Sequence, residues 1–361
     1  MLTVVGLRPL RAVLLAGLSL LLIGAPVASE AGETSSRSRA RVVRSSTPTK
    51  VTRTKVRRAG TSRYSARKSS ARRLALARAR QAAYTRQLHE IQTPQFKPGA
   101  DGQLVPDVRA LAAIIYNPVT HQVLYESNAQ TPRSIASITK VMTAVAFLEN
   151  EVDLNREVTI DPADLRGAST TYLRRGDQVT LHQLLHLLLI GSDNVAARTL
   201  ARASIYGPLG FIERMNQKAA ELGLARTRYT DPSGLLSENV SSAFDMARLI
   251  SFASGDERIA SIMRTKDYQF TSPRRSMTLH NTNHLVGTDV DVRGGKTGFI
   301  SKSGYCLATL LRLPQGDQVA VVVLGARSNP GRFWETRHLF NWLSTKAPAL
   351  LATQTPDQQQ D

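Results

Sequence analysis

The sequence predicts an α+β fold: one antiparallel sheet flanked by helices, with a helical lobe beside it. Strand-like runs lie toward both ends of the region 108–345, and the stretch between them carries helical periodicity. Strands from both ends with helices inserted between them fit a sheet-plus-lobe architecture better than an alternating parallel one.

From the N-terminus, Arg8 and Arg11 precede an apolar run from Ala12 to Ile23 and then Gly24-Ala-Pro-Val-Ala-Ser29. This is the basic start, short core and small-residue exit of a secretory signal, expected over 1–31. Residues 32–90 hold 17 Lys and Arg against Glu33 and Glu90, a net +15 of the chain's +19. Basicity therefore belongs to this segment. Rich in Ser, Thr, Ala and Arg, it lacks the apolar surface to offset ordering entropy, so 32–107 reads as a basic, largely disordered linker. Within it, Ser70 to Ile91 has helix-favouring composition. An exported polybasic segment suits an anionic wall polymer or membrane surface, and not nucleic acid.

Leu111 to Tyr116 and Gln122 to Tyr125 are strand-like, joined by turn chemistry at Asn117-Pro-Val-Thr-His121. Ser137 to Leu148 places Ile138, Val141, Met142, Val145 and Leu148 on one helical face, and Leu181 to Ile190 is apolar enough for a buried helix. Helical patterns follow at about Asn194 to Arg202, Gly210 to Leu222 and Ser242 to Ala253, with a break at Asp231-Pro-Ser-Gly234. Strands return at Val290 to Lys296, Gly304 to Leu313 and Gln318 to Leu324, the last two joined by a Pro-Gln-Gly-Asp hairpin turn. A helix from Pro330 to Leu343 closes the domain, and 346–361 reads as a disordered tail. Cys306, the single cysteine, excludes an internal disulfide framework and reads as a small buried hydrophobe.

Three short motifs outline a serine-acylation site: Ser137-Ile-Thr-Lys140, Ser192-Asp-Asn194 and Lys296-Thr-Gly298. Each has a twin, at Ser65/Lys68, Ser237/Asn239 and Lys302-Ser-Gly304, so only order and setting carry the inference. Ser137 and Lys140, one helical turn apart, share a face. A lysine whose pKa is lowered by burial and a neighbouring cation, here expected to be Lys296, can take a serine proton. The helix start also points backbone N–H groups at charge developing beside Ser137. Alternatively, Ser137 caps the helix and Lys140 is solvated. Ser192 and Asn194 leave a rigid apolar helix, with Asp193 steadying the turn, or the triplet merely caps the next helix. Gly294-Gly295 let another backbone approach the strand that ends in Lys296, where Lys296 and Thr297 can read a substrate carboxylate. Otherwise Lys296 is a surface lysine before a turn.

With these residues the chain resembles the low-molecular-weight penicillin-binding proteins, the D-alanyl-D-alanine carboxypeptidase and endopeptidase family of serine peptidases, over about Val108 to Leu343. Pro132 to Lys140, Asp231-Pro-Ser-Gly-Leu235, Asn281-Thr-Asn-His-Leu285 and Lys296 to Cys306 resemble family stretches in matching order. The resemblance implies a DD-peptidase/β-lactamase-like fold and acyl transfer at the D-Ala-D-Xaa bond of peptidoglycan stem peptides, in the periplasm or cell envelope. It implies Ser137 as nucleophile, Lys140 as base and Ser192 as proton relay aided by Lys296. It further implies that Asn194 holds the substrate amide, that Thr297 with Lys296 binds a carboxylate, and that the Ser137 and Phe299 amides form the oxyanion hole. β-Lactams would trap Ser137, and no metal or cofactor is needed. Ile300 stands where many members carry Thr, and no second β-rich domain or anchor helix follows, as in the shorter endopeptidase-like members.

Carboxypeptidase is the main expectation, cross-link endopeptidase the alternative. A class A-like β-lactamase is less favoured, since Glu151-Val-Asp-Leu-Asn155 precedes Ser192. A zinc peptidase is disfavoured because Gln183 replaces the glutamate in His182-Gln-Leu-Leu-His186. A non-catalytic wall-binding protein is disfavoured by the intact site set.

Overall fold

The computed structural model describes residues 61–99, 102–272 and 275–352. The expected signal over 1–31 lies outside the described residues, as does the basic segment before residue 61. Residues 1–65 and 66–361 are separate units, and the second holds the sheet and the helical lobe.

Helix α1 (Thr61–Gln92) leads into a hairpin of β1 (Phe96–Pro98) and β2 (Leu104–Pro106). Both fall inside the stretch expected to be disordered. Alanine, leucine, arginine and glutamine carry the helix. The hairpin is held by the last helix: His338 Nε2 meets the Gln95 carbonyl at 2.8 Å, and Trp342 Nε1 donates to the Leu104 carbonyl at 3.3 Å. The folded body thus begins before residue 108.

β3 (Ala112–Tyr116) and β4 (Val123–Ser127) form the expected hairpin, and β5 (Arg133–Ser134) carries the chain into a 3-10 turn, Ala136–Ile138. The helical lobe comprises α2 (Thr139–Leu148), β6 (Glu157–Thr159), α3 (Pro162–Leu165), β7 (Gln178–Thr180), α4 (Leu181–Leu189), α5 (Asn194–Ala203) and α6 (Gly207–Glu221). All ten residues of α2 are buried. Threonine at the start of α4 explains its crisp entry: Thr180 Oγ1 accepts from the Gln183 amide at 3.1 Å while Gln183 Oε1 accepts from the Thr180 amide at 3.0 Å.

β8 (Val240–Ser241) pairs with β5, and α7 (Ala243–Ser254) follows. Then come α8 (Glu257–Arg264) and the hairpin β9 (Asp267–Ser272) and β10 (Arg275–His280), none of which the sequence pattern announced. Their alternation is mostly polar, with Phe270 and Leu279 the deeply buried hydrophobes of the hairpin.

β11 (Asp291–Ile300), β12 (Gly304–Arg312) and β13 (Gln318–Ala326) complete a five-stranded antiparallel sheet in the order β11-β12-β13-β3-β4. The closing helix α9 (Asn329–Ala352) runs past Leu343 on helix-forming Ala and Leu. Both faces of the sheet are covered. Ala320, Val322 and Leu324 of β13 join the core shared with the lobe and α7, while Val319, Val321 and Val323 pack with Phe333, Leu339 and Leu343 of α9. Double coverage is why β12 and β13 read as continuous apolar runs rather than alternating ones. It also leaves β11 at the end of the sheet, beside the turn that holds Ser137.

Candidate active site

Ser137 sits in the 3-10 turn and does not cap α2, whose N-cap, Ile138, makes no side-chain hydrogen bond. Before it, Ala136 has φ +48°, a left-handed conformation costly for a residue with a Cβ. Its carbonyl accepts from Thr139 Oγ1 at 2.8 Å, and Gly234 passes so close that a Cβ there would lie 2.0 Å from that oxygen. The serine is held from both sides.

Lys140 is fully buried, its Nζ 2.9 Å from Ser137 Oγ, 2.7 Å from Asn194 Oδ1 and 2.5 Å from the Ser233 carbonyl. Two of these three partners are obligate acceptors. A neutral amine spends its two N–H groups on them and turns its lone pair to the Ser137 hydroxyl. Burial pushes the amine down to about 7, with Arg198 acting in the same direction and Asp193 and Asp231 against it. The cation expected to depress it, Lys296, does not. Burial, then Lys140 and Arg332, hold Lys296 itself far below the ordinary lysine range.

Ser192 and Asn194 follow α4, Ser192 with φ +58° and Asn194 with Nδ2 donating to Ser169 Oγ at 3.4 Å. Asp193 between them is structural, as expected. Its carboxylate caps α5 through the Ala196 amide at 2.9 Å and accepts from the Tyr172 amide at 2.5 Å and Thr171 Oγ1 at 3.0 Å. One buried carboxylate therefore fixes the triplet to the 169–172 loop. Burial raises its pKa.

Lys296 is buried and donates to the Thr297 carbonyl at 3.0 Å, while Thr297 Oγ1 donates to Thr282 Oγ1 at 2.8 Å. On β11 the glycine that lets backbones meet is Gly298. A Cβ there would stand 2.6 Å from the Ile135 carbonyl and 3.1 Å from the Ser137 amide. The expectation that Gly294 and Gly295 serve this purpose is corrected: they accommodate side chains, of Ser254 and Met263 and of Asn283 and Thr309. Phe299 is half exposed and stacks on Tyr305 at 4.2 Å.

Ser137, Ser192, Asn194, Thr297 and Phe299 line one cleft of about 510 Å³ between lobe and sheet edge. Lys140 lies beneath it, bonded to Ser137 and Asn194, and Lys296 is buried behind Thr297. The twins separate by environment. Lys302 is exposed in the β11–β12 turn, Asn239 is buried against Asp231 and the Thr230 amide, and Ser65 and Lys68 fall within α1.

Two further residues at the site escaped sequence reasoning. Arg332 of α9, largely buried, lines the cleft and donates to the Gly298 carbonyl at 3.1 Å and the Cys306 carbonyl at 3.2 Å, its pKa lowered by burial to about 10. Asp231 accepts from the amides of Ser233, Gly234 and Leu236, shaping the turn that presents the Ser233 carbonyl to Lys140. Asp-Pro-Ser-Gly was legible as a turn, but its acceptor role needs the fold.

Elsewhere, His186 stacks on Tyr268 at 4.1 Å with Nδ1 on the His182 carbonyl, and burial lowers it to about 4. Glu151 is exposed just beyond α2, and Cys306 is buried, its thiol pKa raised by burial.

A family model described as D-alanyl-D-alanine carboxypeptidase matches residues 100–328. A D-alanyl-D-alanine endopeptidase of Pseudomonas aeruginosa is 34% identical over 69% of this chain and 81% of its own length. The D-alanyl-D-alanine carboxypeptidase DacF of Bacillus subtilis is 31% identical over 65% of this chain and 63% of its own. Among solved structures, the Streptomyces K15 DD-transpeptidase superposes with a TM-score of 0.62 at 31% identity, covering 66% of this chain and 97% of that one.

Proposed function

The chain belongs to the D-alanyl-D-alanine carboxypeptidase family of serine peptidases, and from that membership we propose a specific division of labour in its cleft. Ser137 Oγ attacks the carbonyl of the D-Ala-D-Xaa peptide bond in a peptidoglycan stem peptide as neutral Lys140 takes the hydroxyl proton. The amides of Ser137 and Phe299 hold the oxyanion, in the manner of preorganised donors that cost no reorganisation. The proton now on Lys140 is relayed through Ser192, helped by Lys296, to the leaving amine, so that the C–N bond breaks, Lys140 is neutral again and an acyl-Ser137 ester remains. Water attacks that ester and frees the serine. Asn194 holds the substrate amide, and Thr297 with Lys296 binds the carboxylate. Nucleophile, base and relay are all side chains, so the scheme calls on no metal or cofactor.

The observation that carries this reading is the Lys140 amine, buried and tuned to about 7, with two carbonyl-type acceptors that leave its lone pair for Ser137. Release of terminal D-Ala is the main reading. Cross-link hydrolysis is the second, favoured by the Pseudomonas relative named an endopeptidase, which the chain matches over 81% of its length. The enzyme is proposed to act outside the cytoplasm, in the periplasm or cell envelope, with residues 32–90 meeting an anionic wall polymer or membrane surface.

β-Lactams carry the strained analogue of the scissile amide. Incubation with a fluorescent penicillin should label the wild type covalently and leave Ser137→Ala unlabelled; an unlabelled wild type, or equal labelling of both, overturns the scheme. Digesting purified muropeptides separates the two substrate readings, by free D-Ala with dimers intact against conversion of dimers to monomers.

A further inference from the structure

Building on the proposed action at peptidoglycan stem peptides, we infer that the groove between α9 and the β1–β2 hairpin binds the N-acetylated glycan strand from which the stem peptide hangs. The groove encloses about 610 Å³, within the range of about 300–1,000 Å³ usual for ligand clefts. Trp334 and Trp342 are the two tryptophans of the chain, and both line it. With His338 they occupy every fourth position of α9, so one ring follows another about every 6 Å along the axis. Phe96 and Leu104 of the hairpin complete the apolar lining. Trp334, Phe96 and Leu104 stay 36%, 49% and 58% exposed, and large hydrophobes clustered in this way mark a binding surface where single ones do not.

Two of the rings are fixed in place. Trp342 donates from Nε1 to the Leu104 carbonyl at 3.3 Å and meets Tyr125 edge to face at 6.0 Å, while His338 stands edge-on to Phe96 at 5.0 Å. Rings already ordered lose little freedom on binding. Around them stand the exposed amides of Gln92, Gln103 and Asn341 and the hydroxyl of Thr345. Among the described residues no carboxylate lines the groove, and Arg337 is already engaged by Asp289 at 2.6 Å. Flat apolar faces bordered by neutral donors and acceptors suit an acetamido sugar: its C–H face lies on an indole, and its hydroxyls and acetamide reach the side-chain amides.

The groove also continues toward the catalytic cleft. Gln92, Pro94, Trp334 and His338 line, besides the groove, a small cavity of about 230 Å³ that extends to Gly331, and the next residue, Arg332, lines the cleft. From Arg332 to Trp342 is about 15 Å along α9, a distance that four or five extended residues span. A sugar seated on the tryptophans is thus within one short stem of Ser137. The groove lowers KM for stems still attached to glycan and leaves free peptides unaffected.

The test uses the full chain. Chitotetraose, a tetramer of N-acetylglucosamine, should change the tryptophan emission saturably, since both indoles lie in the groove, and maltotetraose, which lacks acetamido groups, should not. In ligand-observed NMR, Trp334→Ala should weaken chitotetraose binding at least about tenfold, while Trp334→Phe, which keeps a flat ring, should stay within about threefold of wild type. On glycan-linked peptidoglycan Trp334→Ala should raise KM about tenfold at unchanged kcat, and on free stem peptide it should alter neither. No saturable response to chitotetraose, equal binding of maltotetraose, unchanged affinity in Trp334→Ala, or a dimer in sedimentation that Trp334→Ala abolishes and chitotetraose does not, overturns the inference. Fluorescent penicillin should label all three proteins equally. An unlabelled wild type sinks the acylation scheme, while the sugar titration still reads the groove.

Discussion

Raising the pH from 6 to 8 should speed acylation of Ser137 about tenfold. Lys140 acts as base only when neutral, and its pKa is lowered from 10.5 to about 7 by burial first and Arg198 after it. With that value roughly 9% of the amine is free at pH 6 and about 91% at pH 8, so the rate climbs and then levels off. An unshifted lysine, at 10.5, would instead give a rise of about a hundredfold over the same interval with no plateau. The shift amounts to about 5 kcal/mol between the two protonation states, and its largest cause is the sealing of the amine under the cleft. The assay is the second-order rate of labelling by a fluorescent penicillin under single-turnover conditions at constant ionic strength. Arg198→Gln removes a neighbouring positive charge, so the midpoint should move upward. Lys140→Arg, which cannot deprotonate, should lose at least about a hundredfold at every pH. A flat profile, a hundredfold climb through pH 8, or full activity in Lys140→Arg would refute the lysine-base argument.

In Gly298→Ala the added methyl would meet the Ile135 carbonyl at 2.6 Å, and β11 can retreat only by moving away from the nucleophile. Labelling should fall at least about a hundredfold, with about 1–3 kcal/mol of stability lost in urea titration. Normal labelling would mean that the strand and the Ser137 turn need not touch. Asp193→Ala removes the α5 cap and the acceptor for the Tyr172 amide, and should cost about 3 kcal/mol in the same titration. A change below about 1 kcal/mol would show that the 169–172 loop is held by other means. Arg332→Gln should raise KM for a stem peptide about tenfold with a smaller change in kcat, because a buried guanidinium lining the cleft suits ground-state binding of a carboxylate. Equal loss in kcat with KM unchanged would place its effect on the strand it bonds instead.

The legible parts of the fold are those whose environment is uniform along the chain. α2 and α4 bury nearly every side chain, and β12 and β13 are covered on both faces, so each reads as an apolar run with a definite length. The β9–β10 hairpin was silent because most of its residues are polar and half of them are exposed, and its strands pair with each other alone. α8 has a sharp apolar face but spans only Glu257–Arg264, too short a window for periodicity to stand out beside α7. The β1–β2 hairpin draws its support from α9, more than two hundred residues later, which local composition could not reveal.

The sequence by itself supplied the residues of the candidate site: a serine one helical turn before a lysine, a polar triplet at the exit of an apolar helix, and a Lys-Thr-Gly on a strand, which the structure carries on to Ile300. Those are local facts, since turn, helix and strand periodicities fix which neighbours share a face. Only the tertiary structure decided how the chemistry is tuned. Burial under the cleft, and not a second lysine, brings Lys140 to about 7, and the acceptors that aim it come from residues 54 and 93 positions away in the chain. Likewise the glycine of β11 that matters for backbone approach is Gly298, and not Gly294 or Gly295, because the 135–138 backbone passes there. Desolvation and close approach belong to the packed state, where residues distant in sequence exclude water from one another, and no spacing along the chain encodes them directly.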